Sequence, residues 1–166
     1  MEKSNVSLNR RKDSEFIKQR FVKSFTAKLS QADGEVRSYY KELKSYILSY
    51  TKVNSRISWH YDAFNLGRNP VAKLAIRGKT LCVFLPLENV DKKYIVEKST
   101  SFRFEDTPLL YRIKNDKRCR YARQLIDIVL SNIGAKKGNE VKEIDLPPYE
   151  DDDSLFKKGL IKELRG

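Results

Sequence analysis

The chain has 166 residues, 40% of them hydrophobic, with 34 Lys and Arg against 22 Asp and Glu for a formal net charge of +12. That length suits one domain with a real core and is short for two, and the apolar content excludes a wholly disordered chain. No run approaches the roughly 18 to 20 apolar residues that span a bilayer, and Met1–Asn5 leads into Arg10-Arg11-Lys12 with no apolar stretch of the secretory kind.

In chain order, residues 1–12 read as a basic flexible arm. From Asp13, the apolar residues Ile17, Phe21, Phe25 and Leu29 recur every four and predict a first helix, broken over Ser30–Gly34. Val36, Tyr39, Tyr40, Leu43, Tyr46, Ile47 and Tyr50 keep helical spacing and predict a second, with Asp33 as its N-cap. The period then changes to two. Ile57, Trp59, Tyr61 and Ala63 alternate with Arg56, Ser58, His60 and Asp62, predicting one half-buried strand with its polar set facing water. Asn65–Pro70 is a loop, and Ala72, Leu74 and Ile76 alternate with Lys73, Ala75 and Arg77 in a second strand. Gly78-Lys79 turns the chain into Thr80–Leu85, apolar on both faces and so expected at the sheet centre. Tyr94–Val96 and Leu109–Ile113 are further strand candidates. Asn115 or Asp116 then caps a helix through Cys119, Ala122, Leu125, Ile126, Val129 and Ile133 that stops at Gly134.

The expected fold is therefore α+β, with a mostly antiparallel meandering sheet of about four to five strands. Two N-terminal helices and one C-terminal helix pack on it, in a single domain over residues 13–134. Residues 135–166 read as a linker and an acidic tail ending in the amphipathic run Leu155, Phe156, Leu160, Ile161 and Leu164. That run fits either a small helix docked on the body or a partner-binding tail.

Charge is unevenly spread. Residues 1–137 carry 29 basic and 14 acidic side chains, a net of +15, whereas residues 138–166 carry 5 and 8, a net of −3. A positive body points to an anionic partner, and an acidic tail could compete for the same surface.

Familiar catalytic chemistries find no pattern. His60 is the single histidine, and with Cys82 and Cys119 it has no zinc-type spacing. The two cysteines lie in apolar periodic segments, which fits buried thiols in a reducing cytoplasm better than a disulfide framework. Gly78-Lys79-Thr80 resembles the end of a phosphate-binding P-loop, but the position where that motif requires its first glycine is Lys73, and a strand follows where it requires a helix. Glu105-Asp106 and Asp151-Asp152-Asp153 are adjacent acids in loop-like segments, not an acid–base pair. The expectation is a non-enzyme with no metal and no cofactor.

Two basic clusters remain. Arg56, Arg68, Lys73, Arg77 and Lys79 lie in the strand–turn–strand region, interleaved with Trp59, His60, Tyr61 and Phe64. Arg112, Lys114, Lys117, Arg118, Arg120 and Arg123 surround the start of the last helix, with Lys117, Arg120 and Arg123 near one face of it. Lys and Arg displace counterions condensed on phosphates, Arg forks onto phosphate oxygens, and exposed aromatics stack unpaired bases. The candidate nucleic-acid contacts are Arg56, Arg68, Lys73, Arg77, Lys79, Lys117, Arg118, Arg120 and Arg123.

The stretches Ser24–Leu29, Ser55–Trp59, Phe64-Asn65, Gly67-Arg68, Val71–Leu74, Ile76–Leu81 and Thr107–Lys114 together resemble an uncharacterised family of bacterial domains of unknown function, over roughly residues 23–134. More distantly, the core is similar to a small domain attached to predicted nuclease-type and restriction-type bacterial proteins. The resemblance implies an α+β fold and a bacterial or phage setting, and supplies no activity or site. The chain departs from the family pattern at Pro86 and in a shortened loop around Asn89–Lys93.

These readings converge on a basic binding domain whose partner is DNA or RNA. An acidic protein surface is the alternative, with the chain as inhibitor or adaptor in a defence or mobile-element system; a small-molecule-binding domain is a third.

Overall fold

In the computed structural model, residues 20–140 and 142–164 are described; the expected basic arm over residues 1–12 lies outside them. Strand β1 (Arg20–Lys23) precedes helices α1 (Phe25–Ser30) and α2 (Gly34–Leu48). Strands β2 (Val53–Ile57), β3 (Asp62–Leu66), β4 (Asn69–Arg77) and β5 (Thr80–Leu85) follow as consecutive hairpins. The two-residue strand β6 (Glu97–Lys98), a 3-10 turn (Phe102–Phe104), β7 (Leu109–Ile113) and α3 (Asp116–Asn132) come next, and α4 (Asp152–Lys157) and β8 (Ile161–Leu164) complete the chain.

The architecture is α+β, as expected, but the sheet has six antiparallel strands in the order β2-β3-β4-β5-β7-β6. It is a meander except at one edge, where β7 returns between β5 and β6. The expected strand over Tyr94–Val96 does not form. Tyr94 is buried instead against Tyr121, its hydroxyl donating to Gln124 at 2.6 Å, and pairing begins at Glu97 opposite Leu110.

Alternation along β4, β5 and β7 divides the sheet's two faces. Leu74, Ile76, Leu81, Val83, Leu85, Leu109, Tyr111 and Ile113 join the main core with the buried stripes of α2 and α3. Ala75, Cys82, Phe84 and Leu110 point the other way, where Phe104 of the 3-10 turn covers them in part. The Phe104 ring lies flat on Phe84, with centroids 3.6 Å apart at 6°. β5 is buried on both faces, as its apolar run predicts.

Local capping fixes the helix starts. The Ser24 hydroxyl accepts from the Ala27 amide at 3.0 Å, and the Asn115 side chain accepts from the Arg118 amide at 2.9 Å. Asp33 does stand at the N-cap of α2, although its side chain makes no capping bond. Gly78, at φ 60°, takes a left-handed conformation in the tight turn between Arg77 and Thr80, which are paired in register. This Gly-Lys-Thr run is a hairpin.

Two expected elements are corrected. The first part of the helix expected from Asp13, residues 13–19, lies outside the described residues; Arg20–Lys23, within the expected helix, is a strand paired antiparallel with Ile161–Leu164, and α1 begins at Phe25. The single strand across residues 56–63 is a hairpin, turning at Ser58–Tyr61 with the Ser58 amide donating to the Tyr61 carbonyl at 2.9 Å. Its faces also differ from the expectation. Ile57 is 49% exposed on the edge strand, while Asp62 is completely buried.

The tail docks. Leu155 and Ile161 bury themselves with Ala27, and the Leu160 carbonyl accepts from the Ser24 amide at 2.9 Å. The Ser30 hydroxyl donates to the Pro148 carbonyl and accepts from the Glu150 amide, at 2.7 and 3.0 Å. These contacts make α4 and β8 part of the packed body.

Candidate functional site

The register places the two basic clusters relative to one another. Leu81 of β5 lies opposite Ile113 of β7, so the Gly78-Lys79 turn and the exit of β7 into α3 occupy the same end of the sheet. Arg77, Lys79, Lys114 and Lys117 are exposed there, and Arg120 is exposed one turn further along α3. Among the described residues, none of these five forms a salt bridge; Lys117 lies 5.5 Å from the Tyr121 ring and Arg77 5.0 Å from the Phe84 ring.

The remaining candidates separate from this group. Arg68 sits in the turn at the far end of β4, nine residues from Arg77 and so roughly 30 Å away along an extended strand. Arg56 is exposed on the edge strand β2, opposite Ala63, which in turn lies opposite Lys73. Lys73 itself is only 8% exposed: its ammonium pairs with Asp106 at 2.8 Å, donates to the Arg103 carbonyl at 3.1 Å and lies 4.7 Å from the Tyr61 ring. A lysine so engaged anchors the 3-10 turn to the sheet, which departs from the solvent-facing role expected of it.

Arg118 and Arg123 are also partly committed. The Arg118 guanidinium donates to the Arg112 carbonyl at 3.2 Å and lies over Tyr111, tying α3 to β7. Arg123 leans towards α2, 3.8 Å from Glu42 and 4.3 Å from the Tyr46 ring. Arg112 is held by Glu97 at 2.7 Å, and that contact keeps the Glu97 carboxyl below its usual range.

The fold adds residues that the sequence reading missed. Lys28 of α1 reaches the Ile76 carbonyl at 3.2 Å, beside Arg77. Burial first, and the Arg77 charge second, hold its ammonium below the usual lysine range. His60 likewise sits below the usual histidine range through burial and the charges of Arg103 and Lys28. In both cases burial is the larger cause and the neighbouring cations add to it. A cavity of about 330 Å³ opens between α1, the start of α2 and the β4–β5 turn, lined by Lys23, Lys28, Lys79, Asp33, Val36 and Ile76 among others. Lys28 comes from a helix some fifty positions away from Arg77 and Lys79, so no local pattern could have joined them.

The acidic tail takes little of this surface. Asp152 accepts from Gln31 at 2.8 Å and pairs with Lys23 at 3.3 Å, while Glu150 pairs with Lys158 of the tail itself at 2.7 Å. Arg77 and Lys79 stay exposed.

Two buried groups outside this region have structural surroundings. The Asp62 carboxylate accepts from Tyr40 at 2.6 Å, Ser55 at 2.6 Å and Lys44 at 2.9 Å, so three donors converge on it in the core. Cys82 and Cys119 are both buried; burial and then Glu42 push the Cys119 thiol up to about 12, and burial raises Cys82 although Arg112 and Arg77 pull it down. Protonated, covered thiols are poor nucleophiles. Iodoacetamide at neutral pH should leave both unmodified in the folded protein and alkylate both in urea, as read by intact mass. Among the described residues, no three His, Cys, Asp or Glu side chains are grouped to hold a metal ion, and no helix is long and apolar enough to cross a membrane.

No protein-family model, curated protein or solved structure matches the chain. The α+β fold and the cationic sheet end are therefore the basis for a functional reading.

Proposed function

We propose that this chain is a non-catalytic, nucleic-acid-associated domain that holds a phosphate backbone against the end of the sheet formed by the β4–β5 turn and the start of α3. The observation that carries this reading is the gathering of Arg77, Lys79, Lys114, Lys117 and Arg120, all exposed and none salt-bridged among the described residues. Cations gathered at one place without counter-charges repel one another; an anionic ligand relieves that repulsion and releases counterions on binding. Lys28, and Arg118 in part, extend the same surface. Membership of the uncharacterised bacterial family that the chain resembles, and with it a bacterial or phage setting in the cytoplasm, belongs to this reading.

Fluorescence-anisotropy titration against labelled duplex DNA and RNA across a range of salt concentrations tests it. Five phosphate contacts should give a log–log slope of about −4 to −5 on duplex DNA. A flat profile, or no binding at low salt, rejects the reading.

A protein partner is the second reading, favoured by one apolar patch. Phe21 and Phe156 meet edge-on with centroids 6.3 Å apart, and they are 50% and 49% exposed. Flat salt dependence would direct attention there.

A further inference from the structure

Phe102 is 76% exposed at the start of the 3-10 turn, on the sheet face that the helices leave open. Nothing in its own packing calls for an aromatic ring at that position. The Arg103 guanidinium lies 5.4 Å from the Phe102 ring, and Arg77 lies 5.8 Å from the ring of Phe104, the last residue of the same turn. The turn is rigidly seated: Phe104 stacks on Phe84, Lys73 holds the Arg103 carbonyl, and the Ser101 hydroxyl accepts from the Arg103 amide at 3.3 Å. Phe102 is thereby presented on a fixed support beside a run of cations. The cations continue to Lys28, whose ammonium reaches the Ile76 carbonyl at 3.2 Å beside Arg77. Of the two acids that follow Phe104, Asp106 is taken by Lys73.

An exposed ring held among cations suits a nucleotide with an unpaired base: the ring offers a stacking face, and the neighbouring guanidinium and ammonium groups take the phosphates. A duplex offers no such base. We infer that the open sheet face binds single-stranded nucleic acid, with one unpaired base stacked on Phe102 and the adjoining phosphates on Arg103, Arg77 and Lys28. The inference rests on the phosphate-binding reading above and extends it from the sheet end onto the open face.

The test compares a short labelled oligothymidylate with a duplex of the same length, for wild type and for Phe102→Ala, Phe102→Trp and Arg77→Glu. Phe102→Ala should weaken single-strand binding about 5- to 100-fold, the loss corresponding to one stacked base, and should leave duplex binding within about twofold. Phe102→Trp should restore single-strand affinity, and Arg77→Glu should weaken both ligands. Phe102 and Arg77 are both exposed, so these variants should keep the wild-type circular-dichroism spectrum and melting temperature. Unchanged single-strand affinity in folded Phe102→Ala, or equal losses on both ligands, overturns the stacking inference while leaving phosphate binding standing. Failure of wild type to bind either ligand overturns both.

Discussion

Asp62→Ala should lower the free energy of unfolding by about 3 to 5 kcal/mol, the range seen when one partner of a buried charge pair is removed. Asp62 is fully buried, and its carboxylate is the common acceptor for the Tyr40 hydroxyl, the Ser55 hydroxyl and the Lys44 ammonium. Taking it away strands a buried hydroxyl and a nearly buried cation, since the Lys44 side chain is 14% exposed. The Lys44 ammonium still donates to the Tyr40 hydroxyl at 2.9 Å, but the Tyr40 and Ser55 hydroxyl protons lose their acceptor and the ammonium loses its counter-charge, so each group carries part of its desolvation cost uncompensated. The network also joins α2 to both strands of the first hairpin, because Tyr40 and Lys44 are one helical turn apart while Ser55 and Asp62 come from β2 and β3. Asp62→Asn keeps the shape and an acceptor oxygen but loses the charge, and should cost about half as much. Urea denaturation followed by circular dichroism measures both; the midpoint should fall while the slope with denaturant is preserved. A loss below about 1 kcal/mol for Asp62→Ala would mean that the three donors find other partners.

Leu155→Ala should cost about 2 to 5 kcal/mol, as for other fully buried leucines whose sites cannot collapse. Leu155 is completely covered, and its immediate partners are Ala27, Ile161 and Leu160. Ala27 is too small to fill the space left behind, and α1 is held from the other side by the Phe25 amide, which donates to the Trp59 carbonyl at 2.7 Å. The effect should also be regional. Among the described residues β1 is paired with β8 alone, so amide hydrogens of the Arg20–Lys23 and Ile161–Leu164 ladder should exchange faster in the variant, while those of β4 and β5 keep their protection. If the acidic segment were a detachable appendage, Leu155→Ala would leave both the urea midpoint and the ladder exchange unchanged. Docking also makes deletion of residues 139–166 an unsuitable test of the tail in binding, because the deletion removes a packing partner of α1 along with the acidic charges.

The legible parts of the fold are those in which one local period decides the outcome. The six stripe residues from Val36 to Ile47 in α2, the run of β5 and the capped stripe of α3 are each long enough for amphipathicity to outweigh alternatives, and Leu109–Ile113 is a strand as its residues predict; Tyr50 alone of the expected stripe falls beyond the helix end. The errors share a cause, which is a partner distant in sequence. The spacing of Phe21, Phe25 and Leu29 is helical, yet Phe21 lies in a strand because β8 supplies a hydrogen-bonding ladder about 140 positions later. Alternation places Asp62 on the wet face, yet it is buried because Tyr40 and Lys44, 22 and 18 residues earlier, provide its donors. Hydropathy counts a carboxylate as polar wherever it lies; only its partners can make burial tolerable.

The candidate site divides in the same way. Sequence alone determined the charge, its asymmetry between body and tail, and the identity of the two basic clusters, because composition and spacing are properties of the chain itself. Tertiary structure decided which cations share a surface. It brought Arg77 and Lys79 to the end of the sheet where α3 begins, because antiparallel pairing sets Leu81 against Ile113. It added Lys28 by packing α1 beside β4, and drew Lys73 inwards because Asp106 and the Arg103 carbonyl satisfy its charge there. It also left Phe102 exposed, because the seat on Phe84 is filled by Phe104. Charge is additive along a chain, whereas exposure and pairing depend on which segments the sheet register makes neighbours.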